Sequence, residues 1–306
     1  MRLAAVDIGT NTALLLIADV EDGRLKVLHD EERFVRLGAG VDASGRVNEA
    51  AQGRLADALR AYRETVDRFG VDRVTVGATS ASRDAANQDE LVALAKREAD
   101  FPYGILSGED EAALTFQGAA SGLPAGTGTI VVTDLGGGSM EVVVGDASTG
   151  EIAWRTSLQV GAVRVTERFF SSIPPLPDEI DAAEAYLAEQ FDTLPFPVAG
   201  AVPFPLIGTT GSTTGRLASL QGETNDAGLY TISAEDVLGW RNRLSDLTEP
   251  EILALDSGAL EGRSDVFTAG VLILEQFATR FGFSRYTVSS GGLRHGLALR
   301  AASRGA

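Results

Sequence analysis

Two short stretches set an aspartate at the end of an apolar run, followed by glycine and hydroxyl residues: Asp7-Ile-Gly-Thr-Asn-Thr12 and Asp134-Leu-Gly-Gly-Gly-Ser139. Glycine lets a backbone curl until several N–H groups converge on one anion. An aspartate at a strand end can face a hydrated magnesium ion. The pairing therefore suggests phosphate chemistry. Thr10, Asn11 and Thr12 are the candidate phosphate holders of the first loop, and Gly136, Gly137, Gly138 and Ser139 those of the second. Glu141 stands two residues past Ser139, so it points to the same side of the following strand. An ordinary Asp–Gly hairpin explains the first loop equally well, and a flexible turn is the competing account of the second. Three consecutive glycines are costly in backbone entropy, and close approach of a ligand is a reason to tolerate them.

Further constellations could serve the same chemistry. Ser107-Gly-Glu-Asp-Glu111 places three acids in a first helical turn. The helix macrodipole and a capping box explain them, and a carboxylate there could also accept a proton from attacking water. Arg83, in Ala78-Thr-Ser-Ala-Ser-Arg83, could supply local positive charge to a phosphate, or be a solvated arginine. Gly208-Thr-Thr-Gly211 leads from a strand towards a helix, so its amides could bind an anion or merely cap. It lacks the Gly-Lys-Ser/Thr ending of a P-loop. Arg164 follows Gly161-Ala-Val and could meet phosphate or pair with Glu167. Ser289-Ser-Gly-Gly-Leu-Arg294-His295 forms a strand–Gly-Gly–helix turn.

An internal repeat organises these pieces. Residues 5–25 align with 132–152 at one constant offset: Asp7 with Asp134, Gly9 with Gly136, Thr12 with Ser139, Asp19 with Asp146, Gly23 with Gly150. Each copy reads as strand, tight loop, strand, turn, strand. The rest alternates strands with helical patterns, for example Ala51, Leu55, Ala58, Leu59, Tyr62 and Val66 at helical spacing. Alternation of this kind predicts an α/β architecture. The Pro/Gly stretch Gly122–Gly128 precedes the second copy and marks a domain boundary. Residues 1–123, with a C-terminal helix at about 294–306, make the first expected domain, and residues 124–293 the second.

Composition narrows the chemistry. The 306 residues include no cysteine and two histidines, which excludes thiolate metal sites, disulfides, cysteine nucleophiles and multi-histidine metal centres. Net charge is −17, which repels nucleic acid and anionic membrane, and also phosphate. An anion site must then rely on backbone amides, a few arginines and a bound cation. An acid as early as Asp7 argues against a signal peptide, and the run Ala13–Ala18 is too short to span a bilayer. A cytoplasmic protein is expected.

Taken together, Val6–Thr12, Ala78–Arg83, Ile105–Ala112, Asp134–Glu141, Gly161–Arg164, Gly208–Gly211 and Ser290–Arg294 resemble the exopolyphosphatase/guanosine pentaphosphate phosphohydrolase family, of the actin–hexokinase–Hsp70 superfamily. The resemblance runs from residue 6 to 294. It implies two actin-like (ribonuclease H-like) domains with a cleft between them, and metal-assisted release of orthophosphate from the end of inorganic polyphosphate, with short chains favoured. It makes Glu111 the catalytic base and Asp7, Asp134 and Glu141 partners of magnesium, or manganese. The Gly136–Ser139 loop and Arg83 would hold neighbouring phosphates, with Arg164, Gly208 and Gly211 as further partners. It also implies a homodimer. Met140 departs from the family, where threonine often follows Gly-Gly-Gly-Ser. The alternative substrate is guanosine pentaphosphate (pppGpp), cut at its 5′ end. A kinase of the same superfamily and a non-enzymatic phosphate sensor are the remaining readings.

Overall fold

The computed structural model describes residues 1–196, 204–209 and 213–304. The chain divides into two compact units. One comprises Met1–Gly122, Arg155–Ser157 and Gly291–Ala306; the other comprises Leu123–Trp154 and Leu158–Ser290.

The first unit contains β1 (Arg2–Ile8), β2 (Thr12–Glu21), β3 (Arg24–Phe34), α1 (Val41–Ser44), α2 (Glu49–Phe69), β4 (Arg73–Ala78), α3 (Ser80–Asp84), α4 (Gln88–Ala99), β5 (Gly104–Ile105) and α5 (Gly108–Ser121). The second contains β6 (Thr129–Leu135), β7 (Met140–Asp146), most of β8 (Ile152–Leu158), α6 (Ala162–Phe169), α7 (Pro177–Phe191), β9 (Leu206–Thr209), α8 (Thr213–Gln221), β10 (Glu223–Thr224), β11 (Tyr230–Ser233), α9 (Ala234–Leu244), α10 (Glu249–Leu255), α11 (Ser257–Leu260), α12 (Ser264–Phe281) and β12 (Arg285–Ser289). The last helix, α13 (Leu293–Ser303), returns to the first unit.

Among the described residues the first sheet has the order β3-β2-β1-β4-β5 and the second β10-β11-β12-β9-β6-β7-β8. In each, a repeated hairpin (β1–β2, β6–β7) is antiparallel, and its first strand then pairs in parallel with a later strand, β4 or β9. The parallel partner is reached through helices, as such crossovers require.

The two faces of the first sheet are covered differently. Val6, Ile8, Leu15 and Ile17 pack with the buried side of α2. That helix starts on Asn48, whose side chain accepts from Ala51 N, and stops at Gly70 in the left-handed region. Tyr62 of α2 donates its hydroxyl to the Ala13 carbonyl at 2.7 Å. Ala5 and Leu16 face the other way and pack with Leu114 of α5 and Leu293 and Leu297 of α13. Strand alternation puts Asp7 on the face of Ala5, the one that α5 and α13 cover.

The second unit is built on α12. Phe267, Val271, Leu274, Phe277, Ala278 and Phe281 are all buried. Residues Phe267 to Glu275 are buried without a break, so the helix is enclosed on every side there, as a core helix is. Phe191 of α7 meets Phe277 edge-on at 5.4 Å between centroids.

Candidate phosphate-binding site

β1 and β6 repeat one another in structure as well as in sequence. Both are seven residues long, with the same order of burial from end to end and a half-buried aspartate next to last. Each loop that follows closes with the same bond. Gly9 N donates to Thr12 O at 2.8 Å, and Gly136 N donates to Ser139 O at 3.0 Å.

The loop carbonyls are pinned by their own unit. Gly136 O accepts from Ala162 N at 3.0 Å, and Gly137 O from Val163 N at 2.9 Å and Arg164 N at 3.0 Å. Gly138 O accepts from Arg164 Nε at 2.8 Å. In a trans peptide the carbonyl of one residue and the N–H of the next point in opposite directions. The N–H groups of Gly137, Gly138 and Ser139 are therefore turned away from α6, on one side of the loop. In the first unit, Gly38 N donates to Thr10 O at 2.8 Å, and Val35 N and Arg36 N donate to Asn11 O at 3.1 and 2.8 Å. The same reasoning turns the N–H groups of Asn11 and Thr12 away from the Val35–Gly38 segment. Two sets of parallel amides with fixed carbonyls are the local chemistry of an anion nest.

Gly161 is needed for this arrangement. A Cβ there would lie 2.4 Å from the Gly137 carbonyl carbon and oxygen. Any larger residue would push the glycine loop off the start of α6.

Glu111 lies in the first turn of α5, behind the Ser107 cap, whose side chain accepts from Asp110 N. It is 6% exposed. Arg83 Nη1 donates to Glu111 Oε2 at 2.9 Å and to the Leu106 carbonyl at 3.0 Å. A buried carboxylate needs such a partner. The other terminal nitrogen of Arg83, Nη2, is buried and has no acceptor among the described residues. A donor in that state is satisfied by an incoming oxygen, from water or from phosphate.

Asp134 Oδ1 accepts from the Thr209 hydroxyl at 2.6 Å. Thr209 ends β9 and is 2% exposed. Asp134 and Glu141 are cross-strand partners on β6 and β7. No group of three or more His, Asp or Glu side chains that could hold one metal ion occurs among the described residues. The oxygen-only donors Asp134 and Glu141 still suit magnesium, which commonly takes one or two carboxylates and completes its shell with water and substrate phosphates.

The other candidate residues have these surroundings. Gly208 lies within a strand paired on both sides, by Thr133 and Val288. A Cβ there would lie 2.4 Å from Thr214 Cγ2, so close packing of α8 explains the glycine and phosphate need not. Thr10 and Ser139 are buried, so they contribute backbone to their loops rather than exposed hydroxyls. Arg164 is engaged with the loop it was expected to assist. Gly211 lies outside the described residues. Asn11 and Thr12 remain partly open, as do Gly136 and Gly137.

Two features escaped the sequence reading. Thr209 was visible only as part of a glycine-threonine motif, and its bond to Asp134 depends on β9 lying beside β6. In the strand–Gly-Gly–helix turn, a Cβ on Gly291 would lie 1.9 Å from Gly118 O, and one on Gly118 would lie 1.9 Å from Gly292 O. These glycines let α13 and α5 touch backbone to backbone. They serve the placement of the helix that carries Glu111.

Fold and site together define an α/β protein with a duplicated Asp–Gly hairpin and a carboxylate–arginine pair beside one copy. Residues 16–304 match the Ppx/GppA phosphatase family, and the chain belongs to that family. It is 35% identical to Exopolyphosphatase 2 of Mycobacterium tuberculosis, over 97% of this chain and 98% of that one. It is 29% identical to a Guanosine-5'-triphosphate,3'-diphosphate pyrophosphatase of Aeromonas hydrophila, over 96% of this chain and 58% of that one. The fold matches the crystal structure of an exopolyphosphatase from Cytophaga hutchinsonii with a TM-score of 0.87 and 28% identity, over 100% of this chain and 98% of that one. Both units are thereby of the actin-like type.

Proposed function

We propose that the protein is an exopolyphosphatase that releases orthophosphate from the end of inorganic polyphosphate, with short chains preferred. The observation that carries this reading is the buried Arg83–Glu111 pair with its unfilled Nη2 donor. It sets a carboxylate for water next to a guanidinium for phosphate. Likeness to Exopolyphosphatase 2 over almost the whole of both chains supports the same substrate.

In this reading the amides of Asn11 and Thr12, and of Gly137 and Gly138, take oxygens of the terminal and neighbouring phosphates. Arg83 Nη2 takes another. Glu111 orients a water in line with the terminal phosphorus and accepts its proton. The new bond joins the water oxygen to phosphorus while the bond to the bridging oxygen breaks, and orthophosphate leaves with the chain one unit shorter. Asp7, Asp134 and Glu141 would hold magnesium, or manganese, which supplies positive charge to the phosphate oxygens when bound. Thr209 fixes the carboxylate of Asp134. Phosphoryl transfer asks for positioning and charge neutralisation more than for covalent chemistry, and these groups offer both.

No described helix is long and apolar enough to cross a membrane. A cytoplasmic homodimer completes the reading, with light scattering after size exclusion as its test. Orthophosphate release from a ladder of polyphosphate lengths, with and without EDTA, tests the activity. Cleavage of short chains that stops on metal removal is the expected result, and inertness towards every length overturns it. The likeness to the Aeromonas protein makes pppGpp the second substrate to try, and faster release from pppGpp than from any polyphosphate would replace the first reading.

A further inference from the structure

The first unit holds a second cationic site, at the opposite end of its sheet from the Asp7 loop. β5 pairs only with Gly77 and Ala78 of β4, so the stretch Arg73–Val76 has no strand on that side. A cavity of about 440 Å3 opens there, lined by Arg73, Arg300 and Arg304 together with the stretches Val74–Val76 and Pro102–Gly104 and Ala301. Arg73 Nη1 donates to the Ala301 carbonyl at 2.9 Å, which ties β4 to the last turn of α13. Among the described residues none of the three arginines forms an ion pair, although the chain carries a net charge of −17. Burial and the neighbouring Arg304 hold the Arg300 guanidinium below its ordinary value, with Asp110 opposing the shift. The C-terminal dipole of α13 favours cations in its last turn. Arg73, from a different element, caps the Ala301 carbonyl with one nitrogen and so adds a third cation beside them.

We propose that this cavity is a second oxyanion site, in which Arg73, Arg300 and Arg304 receive a phosphate group. Each guanidinium offers positive charge and N–H donors to phosphate oxygens, and an anion there would relieve the mutual repulsion of the cations. The cavity lies at the start of β4, whereas the Asp7 loop lies level with its end, where Ile8 pairs with Ala78. Five strand steps separate the two, roughly 16 Å. The phosphate has two sources, the distal part of a long polyphosphate or a free small phosphate. Only the first rests on the proposed function.

The test uses the full-length protein and the Arg300→Gln/Arg304→Gln double variant, with Arg300→Lys/Arg304→Lys as the charge-keeping control. Calorimetric titration with inorganic phosphate reads the free source. Michaelis constants for tripolyphosphate and for long-chain polyphosphate read the distal source. We expect the Gln variant either to lose one phosphate equivalent or to raise KM for the long chain about tenfold, with tripolyphosphate KM and all kcat values unchanged. The Lys variant should stay within about threefold of the parent. Unchanged phosphate stoichiometry together with unchanged KM for long chains overturns the proposal. So does a Lys variant as impaired as the Gln variant, since that assigns the effect to packing. If no polyphosphate is cleaved at all, the phosphate titration still decides.

Discussion

Arg83 Nη1 lies 2.9 Å from Glu111 Oε2, with both side chains largely withdrawn from solvent. The pair joins α3 to α5 and makes one cation serve two tasks: neutralising a carboxylate and keeping a second nitrogen for an incoming oxygen.

Glu111→Gln should lower kcat for orthophosphate release by about 10²–10⁴-fold and leave KM nearly unchanged. Arg83→Gln strands a buried carboxylate and should cost about 1–3 kcal/mol of stability as well as turnover. Steady-state kinetics with urea unfolding of both variants separates the two effects. Full activity in Glu111→Gln would remove the residue from its role.

Thr209→Val keeps the shape at the end of β9 and removes the donor to Asp134. Loss of a hydrogen bond to a charged acceptor is worth about 1.5–3 kcal/mol. We expect a rise in the magnesium concentration for half-maximal activity, by tenfold or more, with the folded state retained. A titration of activity against magnesium reads it, and an unmoved midpoint argues against the coupling.

Gly118→Ala places a methyl group where the Gly292 carbonyl sits. Overpacking at such a contact costs about 1–3 kcal/mol, more when only backbone can yield. Melting temperature should drop, and kcat should drop with it, because α5 carries Glu111. A surface control such as Gly53→Ala, with nothing within 4 Å of its Cβ, should do neither.

His295 is held down to about 4 from an ordinary value of 6.5, first by burial and then by Arg294, with Asp30 opposing. Its Nδ1 is buried without a partner among the described residues. The native state thus favours the neutral ring, while the unfolded chain binds a proton below pH 6.5. Stability should therefore be complete above about pH 6.5 and fall as pH drops towards 4. The ceiling is roughly 3 kcal/mol, less where solvent screens the ring. Melting curves of the parent and of His295→Leu between pH 4.5 and 7.5 check this. The variant should lose the extra acid sensitivity, and equal curves would refute it.

The hairpins, the order of strands and helices, and the boundary region near Gly122 can be read from periodicity and punctuation, because both are local. β1 and β6 are legible as copies since their apolar runs, aspartates and glycines repeat in register. The helix Pro177–Phe191 announces itself with Pro at its start and an acid at the third position. Helix α10 repeats that signal with Pro250 and Glu251, whereas the short strands β10 and β11 carry no such pattern and take their place from pairing with β12. Site residues were legible where chemistry is rare, as with Glu111, and opaque where a partner comes from afar. Thr209 needs a strand 75 residues away to acquire meaning. Glycine was the least legible residue. Gly208 could bind an anion or merely precede a capped helix, and the space it leaves is filled by Thr214; the space at Gly291 is filled by the backbone of Gly118.

Because α6 grips the carbonyls of Gly136–Gly138, and the Val35–Gly38 segment grips those of Thr10 and Asn11, each loop is finished by its own unit during folding. Ordering entropy is settled once, when the chain condenses, and does not recur with every molecule that arrives. In each unit the peptide planes therefore stand in working orientation before an anion arrives.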